Sequence, residues 1–279
     1  MIDHALEHPR ADADADGGAE ADAGPGVVAD RPAWTLLAWR QYRLERRMFW
    51  RNPTAAFFNA GVPLLFLVLF GVVFAGDRDQ LEVLIPGIAA MSVMTTTFNA
   101  LAHNVVSLRE RGILKRMRGT PLPPSAYLAA LAGHALTNTV VQVLLVTVAG
   151  RLVFGLEWPR DWVSLTVFVA AGAACFAALG VALAHLIPQA ESAPAYVNAI
   201  FLPVIGVSGV FYDESQAPTI IADIAQVLPL THLVDGIAGA WVDGASVASH
   251  WGALCVVLAW GALAAVPAVR GFSWESRRS

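Results

Sequence analysis

Long apolar runs constrain this chain more than any other feature. Six of them recur, at residues 55–75, 81–106, 128–152, 162–187, 194–211 and 251–269. A helix of about 20 residues, rising about 1.5 Å per residue, crosses the roughly 30 Å of hydrocarbon in a bilayer. Composition agrees: 56% of the residues are apolar and 14% charged, against about 45–50% and 25% in a soluble domain. The excess is gathered into the runs rather than spread through the chain, which excludes a soluble globular fold. The expected fold is all-α, a polytopic membrane protein with six transmembrane helices.

The flanking segments read differently. Residues 1–30 are polar, with an Ala/Asp alternation over 11–16 and glycines at Gly17, Gly18, Gly24 and Gly26. Such a segment has too little apolar surface to offset the entropy of ordering, and it lacks the basic start and apolar centre of a secretory signal. It is expected to be a disordered acidic cytoplasmic tail ahead of a transmembrane domain over 31–279. Asp30-Arg31-Pro32 reads as a helix start, opening an interfacial helix over 32–51. There Trp34, Leu37, Ala38, Gln41, Leu44 and Met48 fall on one side and Arg40, Arg43, Arg47 and Arg51 on the other. That pattern suits a helix lying in the membrane interface with its arginines toward anionic headgroups. Between the fifth and sixth runs, residues 212–250 are too apolar for an ordinary loop and are broken by Pro218, Pro229, Gly236, Gly239 and Gly244. Two short helices dipping in from the outer side fit this stretch, provided protein covers their irregular backbone.

Basic residues set the expected orientation. With the N-terminus inside, fifteen of the eighteen lysines and arginines fall on the cytoplasmic side, and only Arg78, Arg151 and Arg160 fall outside. Both termini are then cytoplasmic. The single lysine, Lys115, stands between Leu114 and Arg116, so the chain has no Gly-Lys-Ser/Thr step of a phosphate-binding loop. Cys175 and Cys255 both sit inside apolar runs, with no metal or redox spacing. No metal site, bound cofactor or nucleic-acid partner is expected.

The loop between the second and third runs carries most of the functional signal. It reads Leu108-Arg109-Glu110-Arg111-Gly112-Ile113-Leu114-Lys115-Arg116-Met117-Arg118-Gly119-Thr120-Pro121. Turning a chain around needs only a few polar residues. Here Ile113, Leu114 and Met117 form a small apolar face beside Lys115, Arg116 and Arg118, suited to a short helix that docks in a groove on a cytoplasmic partner.

That stretch, followed by Tyr127-Leu128, resembles the signature of type-2 ATP-binding-cassette (ABC) exporter permeases, the daunorubicin and multidrug-resistance branch above all. A second match is Ser208-Gly209-Val210-Phe211-Tyr212, then Pro218, then Leu228-Pro229-Leu230-Thr231-His232-Leu233-Val234-Asp235-Gly236. Ala238 departs from the pattern, standing where many members carry an arginine. The resemblance implies a permease homodimer or heterodimer clamped to two ABC ATPase subunits, which would bind the ATP and Mg. It implies that Arg109, Glu110, Arg111, Gly112, Lys115, Arg116, Thr120 and Pro121 couple the permease to the ATPase. The implied activity is export of a hydrophobic or amphipathic substrate, a drug, natural product or lipid-like molecule. Heavy Ala, Val and Arg usage points to a GC-rich bacterial genome, hence to a bacterial plasma membrane.

Polar side chains inside apolar runs usually face other helices or a water-filled path. Thr95, Asn99 and His103 recur every four residues in the second run, and His134, Asn138 and Gln142 do so in the third. Asn99 and His103, with Asn198 from the fifth run, are candidates for a substrate route. Interhelical hydrogen bonding, at about 0.6–2 kcal/mol per contact, is the simpler role, above all for the third-run stripe. The small residues of the fourth run, from Ala170 to Gly180, allow helices to approach closely. Carboxylates are nearly absent from the span centres, which disfavours ion-coupled secondary transport or a channel as the alternative. Ser208, His232 and Asp235 lack the sequence context of a hydrolase.

Overall fold

The computed structural model describes residues 33–113, 122–212 and 218–270. Every regular element among them is helical. In chain order these are α1 (Trp34–Trp50), α2 (Pro53–Val73), α3 (Arg78–Met94), a π-helical turn (Thr95–Asn99) and α4 (Ala100–Glu110). There follow α5 (Pro124–Phe154), α6 (Trp162–Ala184), a 3-10 turn (Ala190–Ser192) leading into α7 (Ala193–Val207), and α8 (Thr219–Ala225). Last come α9 (Pro229–Ala238), a π turn (Gly239–Asp243), a 3-10 turn (Val247–His250) and α10 (Trp251–Arg270). The protein is an all-α polytopic membrane protein. Among the described residues, five helices are long and apolar enough to cross a bilayer, and the bent α8–α9 pair passes the same test only if taken as one broken span. The 21-residue α2, Pro53–Val73, corresponds to the first predicted run. The second run proves longer than predicted, since α3, the π turn and α4 form one path over Arg78–Glu110.

Local sequence explains the helix boundaries. Asp161 caps α6, accepting from the backbone N–H of Val163 at 2.9 Å and of Ser164 at 3.2 Å, and from the Ser164 hydroxyl at 2.6 Å. These bonds hold the Asp161 carboxyl below its ordinary range. Asp77 caps α3 through Gln80 N–H. The 31-residue α5 starts with proline at its first turn and stops at Gly155 in the left-handed conformation, φ 69°. Arg151 adds bonds to the carbonyls of Gly155 and Leu156, at 3.4 and 3.0 Å.

At the centre lies α6, packed against α3, α4, α5, α9 and α10. Its small residues do what the sequence predicted. A Cβ at Gly180 would stand 2.6 Å from the Phe98 carbonyl oxygen, and one at Gly261 of α10 would stand 3.2 Å from Cys175 Cα. Where lipid replaces water, helices associate largely through such close van der Waals contact.

The predicted dip between the last two spans is present. Axes of α8 and of the helix continuing α9 meet at 89°. Leu233 packs over Gly172 and Phe168 over Gly236, so α9 runs antiparallel to α6. Pro229, at the tip, shares a cleft with Phe176, fourteen residues into α6, a depth of about 21 Å at helical rise. Carbonyls released at the turn are covered: Trp260 Nε1 donates to Val227 at 2.9 Å and His232 Nε2 to Gln226 at 2.8 Å. Irregular backbone at such depth requires this.

Helix α1 is tied to α5 largely by polar side chains that the sequence pattern did not single out. Its Trp34 donates to Ser125 at 3.0 Å, Tyr42 pairs with Thr137 at 3.0 Å, and Arg46 donates to Asn138 at 3.1 Å. These contacts advance at nearly equal pace along both helices, so α1 runs alongside α5 rather than across it. Gln41, Tyr42, Glu45 and Arg46 face the protein, while Trp39, Leu44 and Trp50 are exposed. Trp34, Leu44 and Met48 of the predicted apolar side are exposed, while α5 offers hydroxyl and amide partners that the polar residues satisfy. The capping residues predicted at Asp30, Arg31 and Pro32 and the segment 1–30 lie outside the described residues.

Candidate functional site

The second predicted run ends in the loop singled out for coupling, and the structure fixes its first half. Helix α4 closes with a carbonyl–amide bond from Ser107 to Arg111 and another from Arg109 to Gly112, both 3.1 Å. Gly112 takes φ 67°, the left-handed conformation that costs a residue with a Cβ about 1–2 kcal/mol. Glycine there lets the chain leave the helix sharply.

Arg109 does not point away toward a partner. It is buried, and its guanidinium donates to the carbonyl of Ala184 at 3.0 Å and to that of Ile187. Ala184 is the last residue of α6, so a fixed positive charge sits on unpaired carbonyls at the negative end of the helix dipole. Its neighbour Glu110 accepts from the backbone N–H of Ala190 at 3.0 Å, the first residue of the 3-10 turn that opens into α7. Two consecutive residues thus grip both ends of the elbow joining α6 to α7, one through carbonyls and the other through an amide. Arg111 is exposed. Lys115, Arg116, Thr120 and Pro121 lie outside the described residues.

The candidate route residues are only partly brought together. His103 Nδ1 bonds the Asn99 carbonyl at 2.7 Å, one turn apart on the same path. The Asn99 side-chain oxygen is buried with no hydrogen-bond partner among the described residues. Asn198 is exposed on α7, and among the described residues no hydrogen bond joins it to Asn99 or His103. The third-run stripe serves as glue, as the simpler reading held. Asn138 takes the bond from Arg46 and lies 3.1 Å from His134 Nε2, while Phe49 stands edge-on to His134.

The π turn at Thr95–Asn99 was not anticipated. Hydroxyls of Thr95, Thr96 and Thr97 return to carbonyls four residues back, at 2.8, 2.8 and 2.6 Å, and Thr96 also meets Thr139 of α5 at 2.7 Å. Such back-bonding competes with the regular ladder and bends helices, and π bulges often mark functional segments. A run of three threonines inside an apolar stretch was the available signal. Among the described residues no group of three or more His, Cys, Asp or Glu residues is placed to hold a metal.

A polytopic helical bundle with a deep re-entrant pair, its central helix gripped from the end of a basic loop, is the architecture of a membrane transport component. The ABC-2 type transporter family matches residues 32–241, three quarters of the chain, and the protein belongs to that family. It is similar to Nodulation protein J of Sinorhizobium fredii, 26% identical over 236 residues that cover 80% of this chain and 88% of the relative. Nodulation protein J of Neorhizobium galegae is 24% identical over 237 residues, covering 80% and 89%. That of Rhizobium leguminosarum bv. trifolii is 25% identical over 226 residues, covering 80% and 84%. Membership implies an ABC ATPase partner and a membrane setting. These relatives carry a nodulation name rather than a drug-resistance one.

Proposed function

We propose that the chain is the permease subunit of an ABC exporter, moving a hydrophobic or amphipathic molecule outward on ATP hydrolysed by a separate subunit. The observation that carries this reading is the grip of Arg109 and Glu110 on the α6–α7 elbow. A push on the loop that follows Gly112 reaches α4 directly, and through these three bonds it reaches the elbow and α7 as one body. Arg109 and Glu110 then transmit, while Arg111, Lys115, Arg116, Thr120 and Pro121 present the surface that meets the ATPase. Two permease chains, identical or related, would pair with two ATPase subunits that hold ATP and Mg. The basic end of the bundle faces the cytoplasm of a bacterial cell, with both termini on that side. Asn99, His103 and Asn198 supply polar groups to the route.

The test is co-purification from solubilised membranes of the intact chain and of a Glu110→Ala/Gly112→Pro double variant. An ATPase subunit that accompanies the intact chain, and is lost or uncoupled in the variant, supports the proposal. Transport in liposomes by the intact chain without any ATPase sinks it and leaves a secondary transporter or channel.

A further inference from the structure

Between α7 and α10 lies a cleft of about 450 Å³, within the roughly 300–1,000 Å³ of pockets that take a drug-sized ligand. Phe98 of the π turn and Phe176 and Leu179 of α6 form its back wall. Val204 of α7 and Trp260 of α10 form its sides, and Leu228 and Pro229 of the re-entrant tip close it at depth. Helix α7 packs on α4 and α8, whereas α10 packs on α6 and α9, so the two helices stand as separate jambs. The cleft opens onto exposed apolar surface. Leu186 at its mouth is 71% exposed, and Leu202 on α7 and Leu263 on α10 are 63% and 70% exposed. The polar part of the lining is at the opposite end from the tip. His185 lies there, 3.4 Å from the Ala268 carbonyl, and Arg270 follows two residues later at the exposed end of α10.

The geometry points to a binding site for one acyl chain of an anionic phospholipid, its headgroup held at the basic rim by Arg270 and His185. Hydrocarbon is the solvent of a spanning helix, the cleft is continuous with the exposed apolar surface of both helices, and a slot running from a basic rim to an apolar tip matches the polarity of such a lipid. The chain would fill the space under the re-entrant tip and bridge α7 and α10. Nothing in this depends on the ATPase, so its failure would leave the exporter reading standing.

The full chain is reconstituted in bilayers containing a phosphatidylglycerol analogue with a photoreactive diazirine midway along one acyl chain, and adducts are mapped by peptide mass spectrometry. Adducts should concentrate on Leu179, Val204 and Trp260 over the freely lipid-facing Leu263 and Val266, and unlabelled phosphatidylglycerol should displace them. Ala182→Phe and Val204→Trp fill the cleft from opposite walls. Each should lose the cleft adducts while those on Leu263 persist, which also shows that the variant is folded. Arg270→Ala with His185→Ala should abolish the advantage of phosphatidylglycerol over phosphatidylcholine. Even labelling of all lipid-facing positions, or cleft adducts that survive both filling variants, overturns the site. So does efficient disulfide formation between copies carrying Leu186→Cys or Ile200→Cys, since a second copy would then cover the cleft.

Discussion

Substituting Gly87 by alanine should be among the most damaging single-methyl changes available to this protein. An ideal Cβ there would stand 2.0 Å from the Val210 carbonyl oxygen, 2.8 Å from its carbon and 3.0 Å from its Cα. Ordinary contact begins at 3.4 Å, so the backbone around Val210 would have to retreat by about 1.4 Å, well beyond the slack of a close-packed interior. That backbone is not free to move. Gly209 before it is held at φ 66°, and Phe211 after it stacks on Phe70 at 4.8 Å and leans on Phe66 at 5.7 Å. Overpacking costs about 1–3 kcal/mol, and disturbing the aromatic contacts adds about 0.5–1.5 kcal/mol for each pair. A loss of roughly 2–6 kcal/mol follows. The control is Gly252→Ala in the first turn of α10, where a Cβ meets nothing within 4 Å among the described residues. Unfolding in mixed micelles, followed by far-UV circular dichroism, should place Gly87→Ala far below the parent and Gly252→Ala at or slightly above it. If Gly87→Ala unfolds within about 0.5 kcal/mol of the parent, the size of an ordinary surface change, the close approach of α3 to the backbone of Val210 is refuted.

Arg109→Met removes two hydrogen bonds from a charged donor, worth roughly 1.5–3 kcal/mol each; amide exchange at residues 184–190 should rise, with exchange in α5 unchanged. In the assembled transporter the same variant should hydrolyse ATP with reduced substrate movement, and full coupling would refute the transmitting role. Glu45 of α1 is buried and accepts from Gln41 Nε2 at 2.8 Å; burial raises its carboxyl above the ordinary range, and that bond only partly opposes the shift. A raised folded-state pKa means stability is highest below the unfolded value, about 4.3, and falls as pH climbs through the folded value. Thermal unfolding scanned from acid to neutral pH should therefore show a decline that Glu45→Gln abolishes, leaving the variant the more stable at pH 7. Asn99→Leu with His103→Leu should reduce transport while assembled protein is retained, measured as transport per amount of purified complex; equal loss of both would assign the pair to packing.

Most of the architecture was legible because its causes are local. The length of each apolar run, the proline and glycine punctuation of 212–250 and the small residues of α6 each act within a turn or two of themselves. Gly112 belongs with them, since a glycine just past a helix end signals a left-handed stop. The candidate site was legible only in part. Arg109 and Glu110 stood out by their place in a basic loop, yet the partners that give them work lie 75 to 80 residues away, and no local pattern announces them. The same holds for α1, whose polar face is used because Thr137 and Asn138, more than 90 residues on, offer it bonds.

The sequence by itself determined that the chain crosses a membrane as helices, that it carries no phosphate-binding loop of the Gly-Lys-Ser/Thr kind, and that a basic loop lies between its second and third spans. Bilayer thickness, helical rise and the charge of each residue are enough for that. Tertiary structure alone decided that Arg109 turns inward onto the end of α6, that α3 touches the backbone of Val210, and that a cleft opens between α7 and α10. These depend on which helices become neighbours, a choice made by close packing and hydrogen-bond satisfaction between segments far apart in the chain.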